Sequence, residues 1–518
     1  MAAVRMHDKF FFAPFLEVYP AVETRGQFAS LFQSPLLKGL MMRAKKLGQP
    51  LYLVGGYLRN ILAGRPTTEV DVVTTNAEGL ACSYAAEAGV RPVRIDQKFG
   101  TIRLLAASAE LHREVDKIDV SPLRGVSITE DLRQRDFTVN AVAIDLLICD
   151  GRGEVELIDP LGGVADIEAR RLRLCSAESF AQDPLRILRG YRLMATQGFL
   201  FDPETHAAVL EQRQGLKRIA VERIRDELSL ILSTDRTADI FQMLDADGVL
   251  PLILPECEPM RGLEQNDYHH LDVWQHSLAA LKALETVLHD PTSILDRFAT
   301  EAMEVIAEPI SSDRRRLDLL KLATLIHDIG KPRCRSVDES NTVHFYSHDK
   351  AGIALARDLC LRLRFSKAET SFVSKLVGHH MWLIHLFRLG QPSNKALSRF
   401  FRLGPELFWP LLFLFLGDYL ATLGPRSWRG DRTLLRQRLL DWLNYYESTL
   451  QPKEDAPPLV NGRDLIKHLG IEPGPAVGKL LEQLSDLQWR GEIKSRKEAL
   501  QRAADLFAEM QESEHESS

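Results

Sequence analysis

The chain has 518 residues, 45% of them apolar, and a formal net charge of −6. That length and composition permit a large buried core and exceed what one domain holds. The acidic balance excludes a globally basic protein, so any nucleic-acid surface must be a local patch. Cys82, Cys149, Cys175, Cys257, Cys334 and Cys360 are scattered, with no C-x-x-C spacing. This argues for a reducing compartment and against a zinc knuckle or a disulfide framework. The N-terminus has no apolar core of signal-peptide length. The most apolar run, Leu411 to Leu416, is too short to cross a bilayer. A soluble, cytoplasmic protein with no membrane partner is expected; oligomeric state is not legible.

Residues 1–35 carry no readable pattern. Leu36, Leu37, Leu40, Met41 and Ala44 then recur at helical spacing, followed by an apolar strand at Tyr52–Val54. Next comes the most informative stretch, Leu53-Val-Gly-Gly-Tyr-Leu-Arg-Asn60, a strand running through a double-glycine turn into a helix that opens on Arg59. Without a Cβ at Gly55 or Gly56, backbone N–H groups can crowd a triphosphate. A second strand carries Glu69 and Asp71, which period-2 geometry places on one face, able to hold a divalent metal. β-like runs continue at Ile102–Leu105, Leu111–Val120 and Val139–Leu147. A site for two metals needs about three carboxylates. The acidic run Glu114-Val-Asp116-Lys-Ile-Asp119 offers the third, with Glu114 favoured and Asp116 close behind.

From about residue 160 the pattern is helical. Asp183-Pro184 reads as a helix start leading into Leu185–Met194, and Val221–Leu232 is a further amphipathic helix. Arginine clusters follow one another: Arg170, Arg171 and Arg173; then Arg186, Arg189 and Arg192; then Lys217, Arg218, Arg223 and Arg225. Any one cluster is an ordinary solvated face, but three in succession point to a phosphate-contacting surface. Pro251 to Arg261 reads as a boundary, residues 452 to 463 as a linker, and Gln511 to Ser518 as a disordered acidic tail.

The region from about 265 to 425 is rich in histidine: His276 on one helix, the adjacent pair His327-Asp328 on the next, then His348, the pair His379-His380, and Asp418 in an apolar helix. A lone histidine on an apolar face is usually core. A His-Asp pair among further histidines and a late aspartate is a ligand set for a first-row divalent metal. His276, His327, Asp328, His348, His379 and Asp418 are the ligands this pattern selects.

Taken in order, these motifs resemble the bacterial (class II) tRNA nucleotidyltransferase/poly(A) polymerase family, the CCA-adding enzymes and their relatives. The carriers are Val54-Gly-Gly-Tyr-Leu-Arg-Asn60, Glu69-Val-Asp71, Gln134-Arg-Asp-Phe-Thr-Val-Asn-Ala141, Asp159-Pro-Leu-Gly-Gly-Val-Ala-Asp166 and Gln182-Asp-Pro-Leu-Arg186. They span roughly residues 50 to 240, and Gly470 to Ala503 also looks like that family's C-terminus. The histidine pattern resembles an HD-type metal-dependent phosphohydrolase domain.

The resemblance implies an α+β chain. A small mixed-sheet nucleotidyltransferase head (36–160) would precede an all-helical neck that binds nucleotide and RNA (161–255), a helical HD domain (256–450) and a helical tail (451–518). It implies Mg²⁺ at Glu69 and Asp71, with Glu114 joining them in catalysis. Gly55, Gly56 and Arg59 would cradle the triphosphate. Arg135, Asp136 and Asn140 would position ribose and phosphates. Asp183 and Arg186 would read the base edge of incoming ATP or CTP, with Arg189 in the same nucleotide-binding set.

The implied activity is template-independent transfer of CMP and/or AMP to a tRNA or other RNA 3′ end. A phosphohydrolase of cyclic or terminal phosphates with an RNA-binding head, a poly(A) polymerase, and a non-catalytic RNA-binding protein are the alternatives. The sequence departs from the family pattern in having Glu69 for Asp, Asn60 for Asp, Gln134 for Arg and Gln182 for Glu. The connection from Asp119 to Glu130 is also short, which resembles the subgroup that adds only part of the CCA end or acts as a less specific polymerase.

Overall fold

The computed structural model describes residues 28, 31–65, 67–96, 100–105, 117–148, 156–265, 271–311, 314–422, 432–454, 457–490 and 492–515. Glu114 and Asp116 lie outside these residues. The chain divides into two compact units, one running to Glu258 and including Arg362–Arg364, the other comprising Pro259–Leu361 and the chain from Phe365 onward.

The first unit opens with α1 (Pro35–Leu47). Ser34 caps its start by accepting from the Leu37 N–H at 3.3 Å, and Gly48 ends it in the left-handed region. The sheet follows: β1 (Tyr52–Val54), α2 (Gly56–Leu62), β2 (Glu69–Thr74), α3 (Ala77–Ala88), β3 (Val93–Asp96), β4 (Thr101–Leu105), β5 (Lys117–Pro122), α4 (Ile128–Arg133) and β6 (Ala143–Asp145). Its six strands lie in the order β3-β4-β5-β2-β1-β6. Among the described residues of this sheet only β2 and β5 pair in parallel, with Glu69 opposite Lys117 and Asp71 opposite Asp119.

That register divides the residues by face. Val70, Val72, Ile102, Leu104, Ile118 and Val120 point inward to a core completed by Leu37, Leu40, Leu80 and Ala81 from α1 and α3. Burying each large aliphatic side chain there contributes roughly 1.5–3 kcal/mol. The alternate residues Glu69, Asp71, Arg103, Lys117 and Asp119 are left on the other face. The hydrophobic effect thus fixes which carboxylates stand together.

The sequence places a strand across Val139–Leu147. The structure forms a 3₁₀ turn at Thr138–Asn140 and begins β6 only at Ala143. The turn is braced from below: Thr138 Oγ1 donates to buried Asp166 at 2.6 Å, on α5 (Gly163–Glu168). Arg171 on β7 (Arg171–Leu172) and Arg173 pair with the same carboxylate at 2.7 Å each. The helices α6 (Leu185–Gln197), α7 (Pro203–Gln212), α8 (Val221–Leu232) and α9 (Thr237–Ala246) complete the unit. Arg192 joins α6 to α8 by pairing with Glu227 at 2.7 Å.

Among its described residues the second unit is helical apart from a two-stranded hairpin and an isolated bridge between Pro309 and Arg315. Its main elements are α10 (Val273–His289), α11 (Arg316–Ile326), β8 (Ser336–Val337), β9 (Val343–His344), α12 (His348–Arg362), α13 (Lys367–His379), α14 (Met381–Arg388) and α15 (Pro405–Ala421). α15 is buried almost all round, as a core helix is. Gly417 lets it approach α10 closely, since a Cβ there would stand 2.8 Å from the Ala280 carbonyl and 3.1 Å from Leu284 Cβ. No single described helix is long and apolar enough to cross a membrane.

After α16 (Arg432–Tyr445), the last three helices, α17 (Gly462–Leu469), α18 (Pro475–Arg490) and α19 (Arg496–His515), bury Leu465, Leu480, Leu484, Ala499 and Ala503 in a core of their own. The disorder expected from Gln511 does not begin there, because α19 continues to His515. The described cysteines, Cys82, Cys175, Cys257, Cys334 and Cys360, are all free thiols.

Candidate functional sites: a carboxylate pair under a glycine turn and a six-ligand cluster

In the first unit the two glycines act on Asp71. Gly55 takes φ 75°, and a Cβ on it would stand 3.0 Å from Asp71 Oδ2. Gly56 gives its N–H to the same carboxylate. Burial raises the pKa of Asp71, and neighbouring Asp119 raises it further. Two carboxylates this close on adjacent strands favour a cation between them. Gly55→Ala is expected to cut turnover at least tenfold, since a left-handed non-glycine costs about 1–2 kcal/mol and the methyl would push on Asp71. Paired activity and melting measurements check this, the loss of activity exceeding what unfolding explains.

Asp119, which the sequence pattern does not select, stands opposite Asp71 on the same sheet face, while Glu114 lies outside the described residues. The available signal was the period of β5, which puts Lys117 and Asp119 on the face shared with Glu69 and Asp71. Asp119 also binds Arg103 through two bonds of 2.7 Å. Glu69 shares that face but lies at its solvent edge, 63% exposed and ion-paired with Lys117.

Arg59 is buried, which together with Arg192 lowers its pKa to about 10. It donates to Asn140 at 2.6 Å and to Asn60, so the Asn that departs from the family pattern still serves as an acceptor. Asn140 donates to Asp136 at 2.9 Å, and Arg189 pairs with Asp136 at 3.2 Å. Burial pushes the Asp136 carboxyl up, but Arg189, Asn140 and the Phe137 N–H outweigh it and hold the group well below the usual range. The result is a continuous line Arg59–Asn140–Asp136–Arg189. Arg135 stands beside the glycine turn, paired with Asp131 at 2.9 Å.

Arg186 is buried and spends its guanidinium on main-chain carbonyls and Ser179. It donates to the Gln134 carbonyl at 2.9 Å and to Ser179 Oγ at 2.8 Å. Asp183 is held by Arg223 through bonds of 3.2 and 2.7 Å. Both side chains are therefore engaged within the protein.

In the second unit six buried groups form two triads, His276–His327–Asp418 and Asp328–His348–His380, the ligand atoms of each lying within 4.8 Å of one another. The sequence reading selected His379; the structure brings in its neighbour. His379, the last residue of α13, packs on Trp382 with ring centroids 5.5 Å apart. His380, one helical step of 100° further on, turns inward and lies 3.1 Å from His348, Nε2 to Nε2.

Three imidazoles are oriented alike. Nδ1 of His327, His348 and His380 meets the carbonyls of Thr324, Phe345 and Val377 at 2.8, 2.7 and 2.6 Å. A carbonyl only accepts, so each Nδ1 carries a proton and each Nε2 is turned toward the cluster, where its lone pair is the one a metal would take. Burial lowers the pKa of His327, but neighbouring Asp328 outweighs it and raises the value to about 9. Three or more imidazole nitrogens and two carboxylates facing one another form a donor set that fits a metal. The Asp328 carboxyl is pushed up by burial but held well below its usual range by His327 and Lys331. Lys331 sits 2.6 Å from Asp328 Oδ2. At the other triad His276 Nε2 lies 2.9 Å from Asp418 Oδ1.

Comparison with known proteins finds four family models along the chain. "Poly A polymerase head domain" matches residues 51–173, "Probable RNA and SrmB- binding site of polymerase A" residues 198–260, "HD domain" residues 273–395, and "tRNA nucleotidyltransferase domain 2" residues 433–504. The chain is 34% identical to the A-adding tRNA nucleotidyltransferase of Deinococcus radiodurans over 86% of this chain and 93% of that one. It is 31% identical to the CC-adding tRNA nucleotidyltransferase of Thermus thermophilus over 86% and 91%. Its fold matches the Thermotoga maritima CCA-adding enzyme complexed with tRNA, with TM-score 0.55 and 20% identity over 93% of this chain and 98% of that one. The glycine-turn carboxylates, the arginine line and the HD cluster thus stand in a chain that belongs to the class II tRNA nucleotidyltransferase/poly(A) polymerase family, a nucleotidyltransferase with an HD domain.

Proposed function

We propose that this nucleotidyltransferase adds CMP or AMP, from CTP or ATP, to the 3′ end of tRNA, and that it builds part of the CCA end rather than the whole. The observation that carries the reading is the pairing of Asp71 with Asp119 beneath the Gly55–Gly56 turn, flanked by Arg59, Arg135 and Arg189. Mg²⁺ held by Asp71 and Asp119, with Glu69 at the edge, would supply activation of the RNA 3′-hydroxyl and charge neutralisation on the triphosphate. Gly55, Gly56, Arg59 and Arg135 hold the triphosphate so that pyrophosphate leaves in line with the attacking hydroxyl. The Asp136–Asn140 turn fixes the ribose, and Asp183 and Arg186 meet the base once Arg223 and the main chain release them.

Partial addition is supported by the connection between β5 and α4. It is short and tied down, Asp131 accepting from the Arg124 N–H at 3.0 Å and Glu130 from the Val126 N–H at 2.9 Å. It is also in keeping with the A-adding and CC-adding relatives. A cytoplasmic location accords with a tRNA substrate and with free thiols.

Incubation with tRNA lacking its 3′ end and each labelled nucleotide, followed by sequencing of the product, is the test. Incorporation of C alone or of a single A is expected, and Asp71→Ala abolishes it. A complete CCA end refutes partial addition; a long A tail makes the chain a poly(A) polymerase.

A second reading, carried by the two buried triads, is that the HD domain is a phosphohydrolase using a first-row divalent metal. Asp328→Ala is expected to remove hydrolysis and spare nucleotide incorporation, the reverse of Asp71→Ala.

A further inference from the structure

Three arginines converge on the C-terminal end of α6, the helix that begins after Asp183 and carries Arg186 in its first turn. Arg236 donates to the Met194 carbonyl at 3.0 Å, Arg170 to the Gln197 carbonyl at 3.0 Å, and Arg65 to the Thr196 carbonyl. Each comes from a different part of the unit. Arg65 lies in the connection between α2 and β2, Arg170 in the turn between α5 and β7, and Arg236 immediately before α9. All three are half-buried. The guanidiniums of Arg170 and Arg236 meet over Gly198, where a Cβ would stand 3.5 Å from each.

An α-helix leaves its last four carbonyls without intrahelical partners. A glycine in the left-handed region is the common remedy, and one is present: Gly198, at φ 72°, gives its N–H to the Met194 carbonyl at 3.1 Å. The three guanidiniums come in addition, set against the negative end of the helix dipole. Arg170 reaches this place through a strained backbone. It takes φ 50°, which L side chains adopt only at a cost, while its own carbonyl accepts from the Leu200 N–H at 2.9 Å. Strain of this kind persists where the surroundings over-determine it, and it gathers at functional sites. The sequence pattern grouped Arg170 with Arg171 and Arg173 as a phosphate-contacting face. The structure turns Arg170 onto α6 and the other two onto Asp166.

α6 has 13 residues, about 20 Å of helix. Arg186 near its start donates to the Gln134 carbonyl, Arg189 pairs with Asp136, and Arg192 pairs with Glu227. A rod that tilts at one end is displaced at the other. Whatever fixes the last turn of α6 therefore sets where Asp183 and Arg186 stand relative to the carboxylates of β2 and β5. Arg65 bears on this most directly. Its N–H donates to the Asn60 carbonyl of α2 at 2.7 Å, and the chain runs from it into Glu69, so it ties α6 to the segment between the glycine turn and the acidic strand.

We propose that Arg65, Arg170 and Arg236 are positioning residues for nucleotide choice, fixing the far end of α6 and thereby the place of the base-reading groups at its start. The proposal rests on the reading that Asp183 and Arg186 meet the base of the incoming nucleotide.

The test uses the full chain and tRNA lacking its 3′ end, with kcat/KM measured separately for CTP and for ATP. The ratio of the two does not depend on the fraction of enzyme that is active. Arg170→Gly removes the guanidinium and relieves the strained φ, so the variant is expected to melt close to the parent. Its preference for the favoured nucleotide nevertheless falls about tenfold, the scale of one hydrogen bond from a charged group. Arg65→Met lowers the ratio to a similar extent. Arg170→Lys keeps a charged donor for the Gln197 carbonyl and restores most of it. KM for tRNA stays unchanged in all three.

A ratio unchanged in Arg170→Gly and Arg65→Met, while Asp183→Ala still alters it, overturns the positioning role and leaves the base-reading assignment intact. A ratio that neither Asp183→Ala nor Arg186→Lys moves overturns that assignment itself. A raised KM for tRNA in the arginine variants, at an unchanged ratio, makes these residues RNA-phosphate contacts and also overturns the proposal.

Discussion

Asp119→Asn is expected to lower nucleotide incorporation about a thousandfold, because a metal's stabilisation of developing charge is worth several kcal/mol and each 1.36 kcal/mol is tenfold in rate. Asp119 stands opposite Asp71 on a parallel strand pair of the head sheet. The pKa of Asp71 is raised, first by its burial and then by Asp119, so a bound cation would stabilise its charged form. Asp119 has a second possible role, since it holds Arg103 through two hydrogen bonds. Arg103→Met separates the roles. If Asp119 binds metal, Arg103→Met retains most activity while Asp119→Asn raises the Mg²⁺ concentration needed for half-maximal rate. Equal losses in the two variants, with equal drops in melting temperature, refute the ligand role.

His380→Ala is expected to abolish phosphohydrolase activity and remove metal from the Asp328–His348–His380 triad, whereas His379→Ala changes neither. The two histidines are adjacent in sequence, yet one is wholly buried in the cluster and the other packs on Trp382 at the end of α13. Metal content of the purified protein, measured by mass spectrometry, checks the prediction apart from activity. Both variants should keep full nucleotide incorporation. Metal lost equally from both would show that the α13–α14 junction, rather than the His380 ring, holds the site.

Much of this protein was legible in one dimension because its chemistry sits in short runs. The strand–Gly-Gly–helix unit, the Glu69-Val-Asp71 strand, the Arg135–Asn140 segment and the His327-Asp328 pair each place their groups by local geometry alone, and local geometry is what a sequence pattern reports. The same holds for the helix beginning after Asp183, where the Leu185 N–H donates to the Asp183 carboxylate.

What the pattern could not carry was pairing between segments. The parallel register that sets Asp119 beside Asp71 depends on how the apolar faces of β2 and β5 meet the core, a relation between strands more than forty residues apart. The choice of His380 over His379 turns on which way α13 enters the bundle. The capture of Asp183 by Arg223, and of Arg186 by the Gln134 carbonyl, likewise joins distant turns. Residue types and spacings by themselves determined the family, with its nucleotidyltransferase head and its HD domain. Tertiary structure placed Asp119 beside Asp71, and His380 rather than His379 among the buried groups of the second unit. The reason is that burial acts on whole faces of helices and strands, and a face acquires its neighbours only when the chain has folded.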